Sequence, residues 1–260
     1  MQIHGIGIIS SVGRGLDVHR AALAAGVSAA GADGFYRVTE KDLKDPLLAK
    51  AARRAGRFDR MAILAGLDAL NDAGIKVQDT PSAIGLILAT SLGPHVTTFR
   101  FLDDLINFKE QDVSPTLFSH SVHNAAASYL SLLAGIRGPT LTVTRFTFAF
   151  REAVTLAHAW LEQKRCAYVL VGVVDEMGAV MEAAGREIAG CSSGFQAATG
   201  EGSVFLVLSN ELSRRGYGSM SLLPASLATE TLVGRQPCQD AFNFVFSIIK
   251  NHQEEQANES

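Results

Sequence analysis

From Val113 to Leu161 the chain reads VSPTLFSHSVHNAAASYLSLLAGIRGPTLTVTRFTFAFREAVTLAHAWL, and this stretch leaves few folds open. It reads as loop, helix, tight turn, strand, sharp turn, helix. Asn124 to Ala134 is small on one side and apolar on the other, which suits a helix packed closely inside a core. Gly135 and the pair Gly138-Pro139 end it, Gly by taking positive φ and Pro by refusing to continue a helix. Leu141-Thr-Val-Thr144 has strand composition, and from Phe150 onward Ala153, Val154, Ala157 and Leu161 recur at helical spacing. Strand, sharp turn, helix lifts one side chain onto a helix N-terminus, where the dipole can activate a nucleophile.

The flanking segments supply the rest of an α/β domain. Ile3–Ile9 is a glycine-spaced strand followed by a turn at Ser10–Gly13, and Leu16–Ala25 is a short helix closed by Gly26. Gly5-x-Gly7 does not extend to a dinucleotide fingerprint, because Ser10 stands where the third glycine would fall. Residues 27–50 read as a loop. Asp59 to Ala73 is a helix with Asp59 as its cap, Ile63, Leu64, Leu67 and Leu70 as its stripe, and Gly74 beyond its end. Ser82–Thr90 and Ala167–Val174 are continuous apolar strands of the kind covered on both faces. Val96–Phe108 reads as an amphipathic helix, residues 182–199 as a loop, and Gly200–Leu208 as a glycine-led strand.

Composition closes off other classes. The chain has 260 residues, 47% hydrophobic, with net charge −3, enough for one sizeable core and no basic excess for nucleic acid. No run of about 18 apolar residues suggests a membrane span. The N-terminus enters a strand without a charged-then-apolar leader, so a cytoplasmic location is expected. Cys166, Cys191 and Cys238 are few and widely spaced, giving no disulfide or metal framework.

The central stretch resembles the nucleophile turn of β-ketoacyl-acyl-carrier-protein synthases, the condensing enzymes of the thiolase superfamily. That family's phrase, roughly PNAAAG.LSI..G..GPNLTVSTACASG, lies over His123 to Phe150 without a gap. The opening GIGIISSVG is similar to the family's GIGVVSPLG, Arg57-Phe-Asp-Arg60 to its DRF segment, and Gly200-Glu-Gly to its GEGAGVLVLE strand. In this overlay the family's cysteine falls on Thr147, and its small neighbours become Arg145, Phe146, Phe148, Ala149 and Phe150. The resemblance implies a thiolase-like α/β fold, N-terminal half only: one mixed, mostly parallel five-stranded sheet with helices on both faces. It covers residues 1–215. Residues 216–250 are a C-terminal extension holding an amphipathic helix from Asp240 to Lys250, and 251–260 are expected to be a disordered tail. About 45 residues after the last strand are too few for a second βαβ set.

Each candidate residue has a plain alternative. Thr147 as a nucleophile needs a base, and none of His120, His123 or His158 sits where the family keeps one, so it is read as a buried turn residue. Phe146, Phe148 and Phe150 are expected to fill the old substrate pocket rather than line an acyl site. Cys191-Ser-Ser-Gly194 spells the family's active-site tetrapeptide but has no strand leading into it, and reads as loop. His120-x-x-His123 reads as two surface histidines. Asp175 and Glu176 are adjacent and point apart, so they are not expected to form one acid–base site.

The expected function is therefore that of a catalytically inactive, chain-length-factor-like subunit that pairs with an active ketosynthase in polyene, polyketide or fatty-acid-type biosynthesis. Short relatives of this kind resemble those of aryl-polyene pathways. The family dimerises through the strand leading into the nucleophile turn, which implies an interface at Thr140, Leu141, Thr142, Val143, Thr144, Arg145 and Phe146. The partner is an active ketosynthase (heterodimer) or a second copy (homodimer), and an acyl carrier protein is a further candidate. No cofactor and no metal is expected. The alternative is an active condensing or acyl-transfer enzyme using Thr147 or Cys191, and a third reading is a carrier-protein binding module without chemistry.

Overall fold

A computed structural model describes residues 1–108, 113–189, 198–212, 217–220 and 229–258. In chain order the elements are β1 (Gln2–Ser10), β2 (Gly13–Arg14), α1 (Leu16–Ala25), α2 (Pro46–Ala51), α3 (Arg57–Asp72), β3 (Ile84–Thr90), α4 (His95–Phe108), α5 (Pro115–Ser121) and α6 (Ala125–Ala134). There follow β4 (Thr140–Thr144), α7 (Ala149–Glu162), β5 (Tyr168–Asp175), α8 (Ala179–Ala189), β6 (Gly202–Ser209), α9 (Glu230–Val233) and α10 (Gln239–Asn258). The strands form one sheet in the order β2-β1-β6-β5-β3-β4. β4 and β5 flank β3 in parallel, while β6 is antiparallel to both β5 and β1. Strands β1, β3, β4 and β5 thus run one way and the sheet is mixed.

Helices cover both faces. On one, Phe150, Trp160 and Leu161 of α7 join Phe242, Phe246 and Ile249 of α10 against Ile3, Val171 and Leu206. On the other, Phe58 and Met61 of α3 and Leu130 of α6 pack on Leu86, Leu88 and Val207. The contact between α3 and β1 is close enough to require Gly7, where an added Cβ would lie 1.9 Å from the carbonyl oxygen of Ala65. Fully burying an aromatic side chain stabilises by about 1.5–3 kcal/mol, so α10, with Phe242 and Phe246 both enclosed, is part of the core.

Several expectations are corrected. The sheet has six strands rather than five, because Gly13, expected as the end of a turn, pairs with Ser10 and the next residue, Arg14, with Ile9. Asp59 lies in the first turn of α3, which begins at Arg57, and its Oδ2 accepts the Gly56 N–H at 3.1 Å. Two short helices interrupt stretches read as loop, each opened by a polar residue before proline. Asp45 Oδ1 accepts the Leu47 N–H at 2.9 Å for α2, and Ser114 Oγ accepts the Leu117 N–H at 3.4 Å for α5. Helix α8 covers Ala179–Ala189 and so takes up the first part of the stretch 182–199 read as loop; the glycine near its centre, Gly185, obscured its periodicity. The strand before the sharp turn ends at Thr144, short of Phe146. Helix α10 runs on to Asn258, into the expected tail, because Gln253 to Ala257 are good helix formers.

Candidate functional site

The sharp turn between β4 and α7 has the expected form. Its last residue, Phe148, is the N-cap of α7 and takes φ 60°, ψ 29°. A bulky residue held in the left-handed region costs on the order of 1–3 kcal/mol and persists only where its surroundings enforce it. Here the guanidinium of Arg151 lies 4.8 Å over the Phe148 ring, and Arg145 pairs with Glu152 across the turn.

Thr147, on which the family's cysteine falls in the sequence overlay, is exposed rather than buried. Among the described residues its hydroxyl makes no hydrogen bond, so no base is in place to activate it. The three phenylalanines do not act together. Phe146 is 81% and Phe148 52% exposed, and neither fills a pocket in the single chain. Only Phe150 is enclosed, its ring 6.1 Å from that of Phe244 in α10. Extended chain would set residues 146, 148 and 150 on one face, but β4 ends at Thr144 and the left-handed step at Phe148 turns the chain into α7, so the three do not share a face. Cys191 lies outside the described residues.

The adjacent carboxylates Asp175 and Glu176, at the end of β5, do separate jobs on the same turn. Asp175 Oδ1 accepts from Thr90 Oγ1 at 2.8 Å and from the Leu92 N–H at 2.9 Å, and the Ser91 N–H reaches it at 3.0 Å. Glu176 Oε1 accepts the Val96 N–H at 3.0 Å, holding the start of α4. Burial raises the Asp175 pKa to about 6 and the Glu176 pKa to about 7. They anchor the connection from β3 to α4, a structural role that adjacency alone did not reveal.

Sequence reasoning passed over Cys238. Its Sγ lies 3.2 Å from Asp175 Oδ2 and 3.2 Å from Ser91 Oγ, fully buried just before α10. Burial, reinforced by the Asp175 charge, pushes this thiol well above its ordinary pKa, so it is a neutral donor and no nucleophile. The two histidines expected at the surface part company. His120 is buried, within reach of Asp59 and Tyr129, whereas His123 is exposed with its ring against Gly93. Among the described residues no three His, Cys, Asp or Glu side chains gather as a metal site, and no helix is long and apolar enough to cross a membrane.

At the sheet edge, Leu86 N–H donates to Pro139 O at 2.9 Å and Arg145 N–H to Thr90 O at 3.2 Å. Parallel pairing alternates, so odd-numbered residues of β4 bond to β3 and Thr140, Thr142 and Thr144 turn their amides outward. No further strand lies beyond β4 among the described residues.

Comparison with known proteins agrees with this geometry. The profile described as "Beta-ketoacyl synthase, N-terminal domain" matches residues 39–180, more than half of the chain. A 3-oxoacyl-[acyl-carrier-protein] synthase 2 from Vibrio cholerae is 27% identical over 154 residues, covering 55% of this chain and 37% of that protein. Its counterpart from Vibrio harveyi is 26% identical over 108 residues, 41% of this chain and 26% of that protein. The chain thus spans about a third or less of the curated relatives it matches. Among solved structures, the ishigamide ketosynthase/chain length factor superposes with a TM-score of 0.67 at 22% identity, over 79% of this chain and 61% of that one. A structure of the ketosynthase ApeO in complex with its chain length factor ApeC, from Xenorhabdus doucetiae, gives 0.56 at 21% identity, over 80% and 77%. With this mixed sheet and a family profile that spans strands β3 to β5 and the sharp turn at the head of α7, this chain belongs to the beta-ketoacyl synthase family through its N-terminal domain.

Proposed function

We propose that this chain is a cytoplasmic, chain-length-factor-like subunit that carries out no condensation and pairs with an active β-ketoacyl-acyl-carrier-protein synthase. The observation that carries the reading is Thr147: the turn that presents a nucleophile is retained, yet it presents a hydroxyl with no hydrogen-bonded base. The outward amides of β4, flanked by exposed Leu141 and Phe146, support pairing at Thr140–Phe146 by strand addition. The exposure of Phe146 and Phe148 fits side chains that a partner covers. Polyene, polyketide and fatty-acid-type assembly, the aryl-polyene class included, are the settings in which such a pair works, with an acyl carrier protein delivering the growing chain.

Two measurements test this. Intact-mass analysis after incubation with acyl- and malonyl-loaded carrier protein should show no acyl adduct. An adduct lost on Thr147→Ala or Cys191→Ala would establish an active enzyme instead. Co-expression with an active ketosynthase of the same organism should yield a stoichiometric complex; separate elution from every such ketosynthase at micromolar concentration would refute the pairing.

A further inference from the structure

A polar chain outside the nucleophile turn ends in a pocket. Asp59 of α3 is 2% exposed and His120, at the end of α5, is 9% exposed. Their contact, His120 Nδ1 to Asp59 Oδ2, is 3.3 Å, and Tyr129 of α6 places its hydroxyl 3.1 Å from His120 Nε2. The Tyr129 and His120 rings also stack at 5.3 Å. A cavity of about 270 Å³ opens between α5 and α6, with His120, Tyr129, Asn124 and Ser128 as its polar lining and Val122 and Leu132 among its apolar lining.

The direction of each hydrogen bond follows from one end of the chain. Asp59 Oδ2 accepts the Gly56 N–H at 3.1 Å, and as a carboxylate oxygen it is an acceptor toward His120 as well. His120 Nδ1 therefore carries the proton, and in the neutral ring Nε2 is an acceptor. Tyr129 must then point its O–H at His120. Burial and the Asp59 charge raise the Tyr129 pKa, which keeps that proton on the oxygen. The Tyr129 oxygen is left with lone pairs only, fixed in direction at the pocket. Beside it, the side chains of Asn124 and Ser128 form no hydrogen bond as donors among the described residues and offer N–H and O–H groups.

We infer that this pocket binds a neutral amide: its N–H donates to Tyr129 Oη, its carbonyl accepts from Asn124 or Ser128, and its aliphatic part lies on Val122 and Leu132. A carboxylate lacks the donor that Tyr129 requires, and an alkylammonium lacks the acceptor. The amide belongs either to a small molecule or to an extended peptide backbone.

Titration of the full-length protein followed by ¹H–¹⁵N NMR tests the assignment, with butyramide, butyrate, butylamine and acetyl-trialanine amide as probes. Butyramide should shift resonances confined to residues 119–132, and butyrate and butylamine should not at equal concentration. A tighter response to acetyl-trialanine amide identifies a peptide, and a weaker one a small molecule. Tyr129→Phe should weaken butyramide binding by about tenfold. Ser128→Arg, on the exposed rim, should block it without disturbing the Asp59–His120–Tyr129 chain. Equal shifts with butyrate or butylamine, undiminished binding in Tyr129→Phe, or no shift with any probe would overturn the assignment.

Discussion

Arg57 Nε donates to Glu201 Oε1 at 2.9 Å, joining the first turn of α3 to the residue before β6, 144 positions away. Glu201 is fully enclosed and also accepts the Val38 N–H at 2.9 Å and the Met177 N–H at 2.9 Å. Arg57 is partly exposed and has a second partner in Glu40. The two ends are therefore unequal. Arg57→Ala strands a buried carboxylate and should cost about 3–5 kcal/mol by urea denaturation. Glu201→Gln removes the buried charge but turns one of the two accepting oxygens into an NH2 donor, so it keeps only one of the Val38 and Met177 contacts and should cost about 1–3 kcal/mol; a loss equal to that of Arg57→Ala would contradict the asymmetry.

Stability should respond to pH through opposing groups. Unfolded carboxyls are ionised above about pH 4, whereas folded Asp175 and Glu176 hold protons up to about pH 6 and about pH 7. The native state binds more protons in that window, so these two groups make stability fall as pH rises through it. His19, buried with Nδ1 2.7 Å from Gly15 O, has its pKa lowered to about 4. It makes stability rise between about pH 4 and 6.5, because there the unfolded state binds the extra proton. One histidine offsets only one of the two carboxyls, so these groups together should make wild-type stability fall between about pH 4 and 6.5. Glu176→Gln should tilt the profile upward with pH by on the order of 2 kcal/mol between pH 5 and 7, measured by urea unfolding at each pH.

Restoring the family nucleophile should not restore chemistry. Thr147→Cys places a thiol at an exposed position with no base bonded to it. Iodoacetamide should modify it at the rate of an exposed thiol with pKa near 8.5, and no condensation product should form. Peptide mapping reads the modification. A rate about tenfold higher at neutral pH would show that the turn still activates a thiolate.

The alternation of β4 amides makes neighbouring proline substitutions diverge. Thr142 turns its N–H outward, so Thr142→Pro removes a donor from the free edge and should abolish the proposed pairing while the monomer stays folded. Val143 bonds to β3, so Val143→Pro should break the sheet itself. Sedimentation velocity together with circular dichroism separates the two, and the same behaviour from both variants would refute strand addition at this edge.

Local signals made most of the fold legible. Continuous apolar runs marked β3 and β5, glycine-led spacing marked β1 and β6, and 3.6-residue periodicity marked α1, α3, α6 and α7. The helices that escaped were short or interrupted, as with Gly185 inside α8. The polar contacts were not legible, because they join residues far apart in the chain: 61 positions separate Asp59 from His120 and 63 separate Asp175 from Cys238. One clue was present in Glu201, a charged residue set between glycines at the head of an otherwise apolar strand. The burial of Phe150 but not of Phe146 or Phe148 follows from the left-handed step at Phe148, which composition does not encode.

Strand β1 is sandwiched between β2 and β6, and β6 begins only at Gly202. At about 5–20 residues per second, a ribosome makes the intervening two hundred or so residues in roughly 10–40 s. For that interval the apolar, glycine-spaced strand β1 has a hairpin neighbour on one side and nothing on the other, and α10, which closes the face above it, is made later still. Closure of this part of the sheet joins segments about two hundred residues apart, after everything between them exists. Nascent chains therefore expose β1 to chaperones, and to one another on crowded polysomes, until β6 has been made.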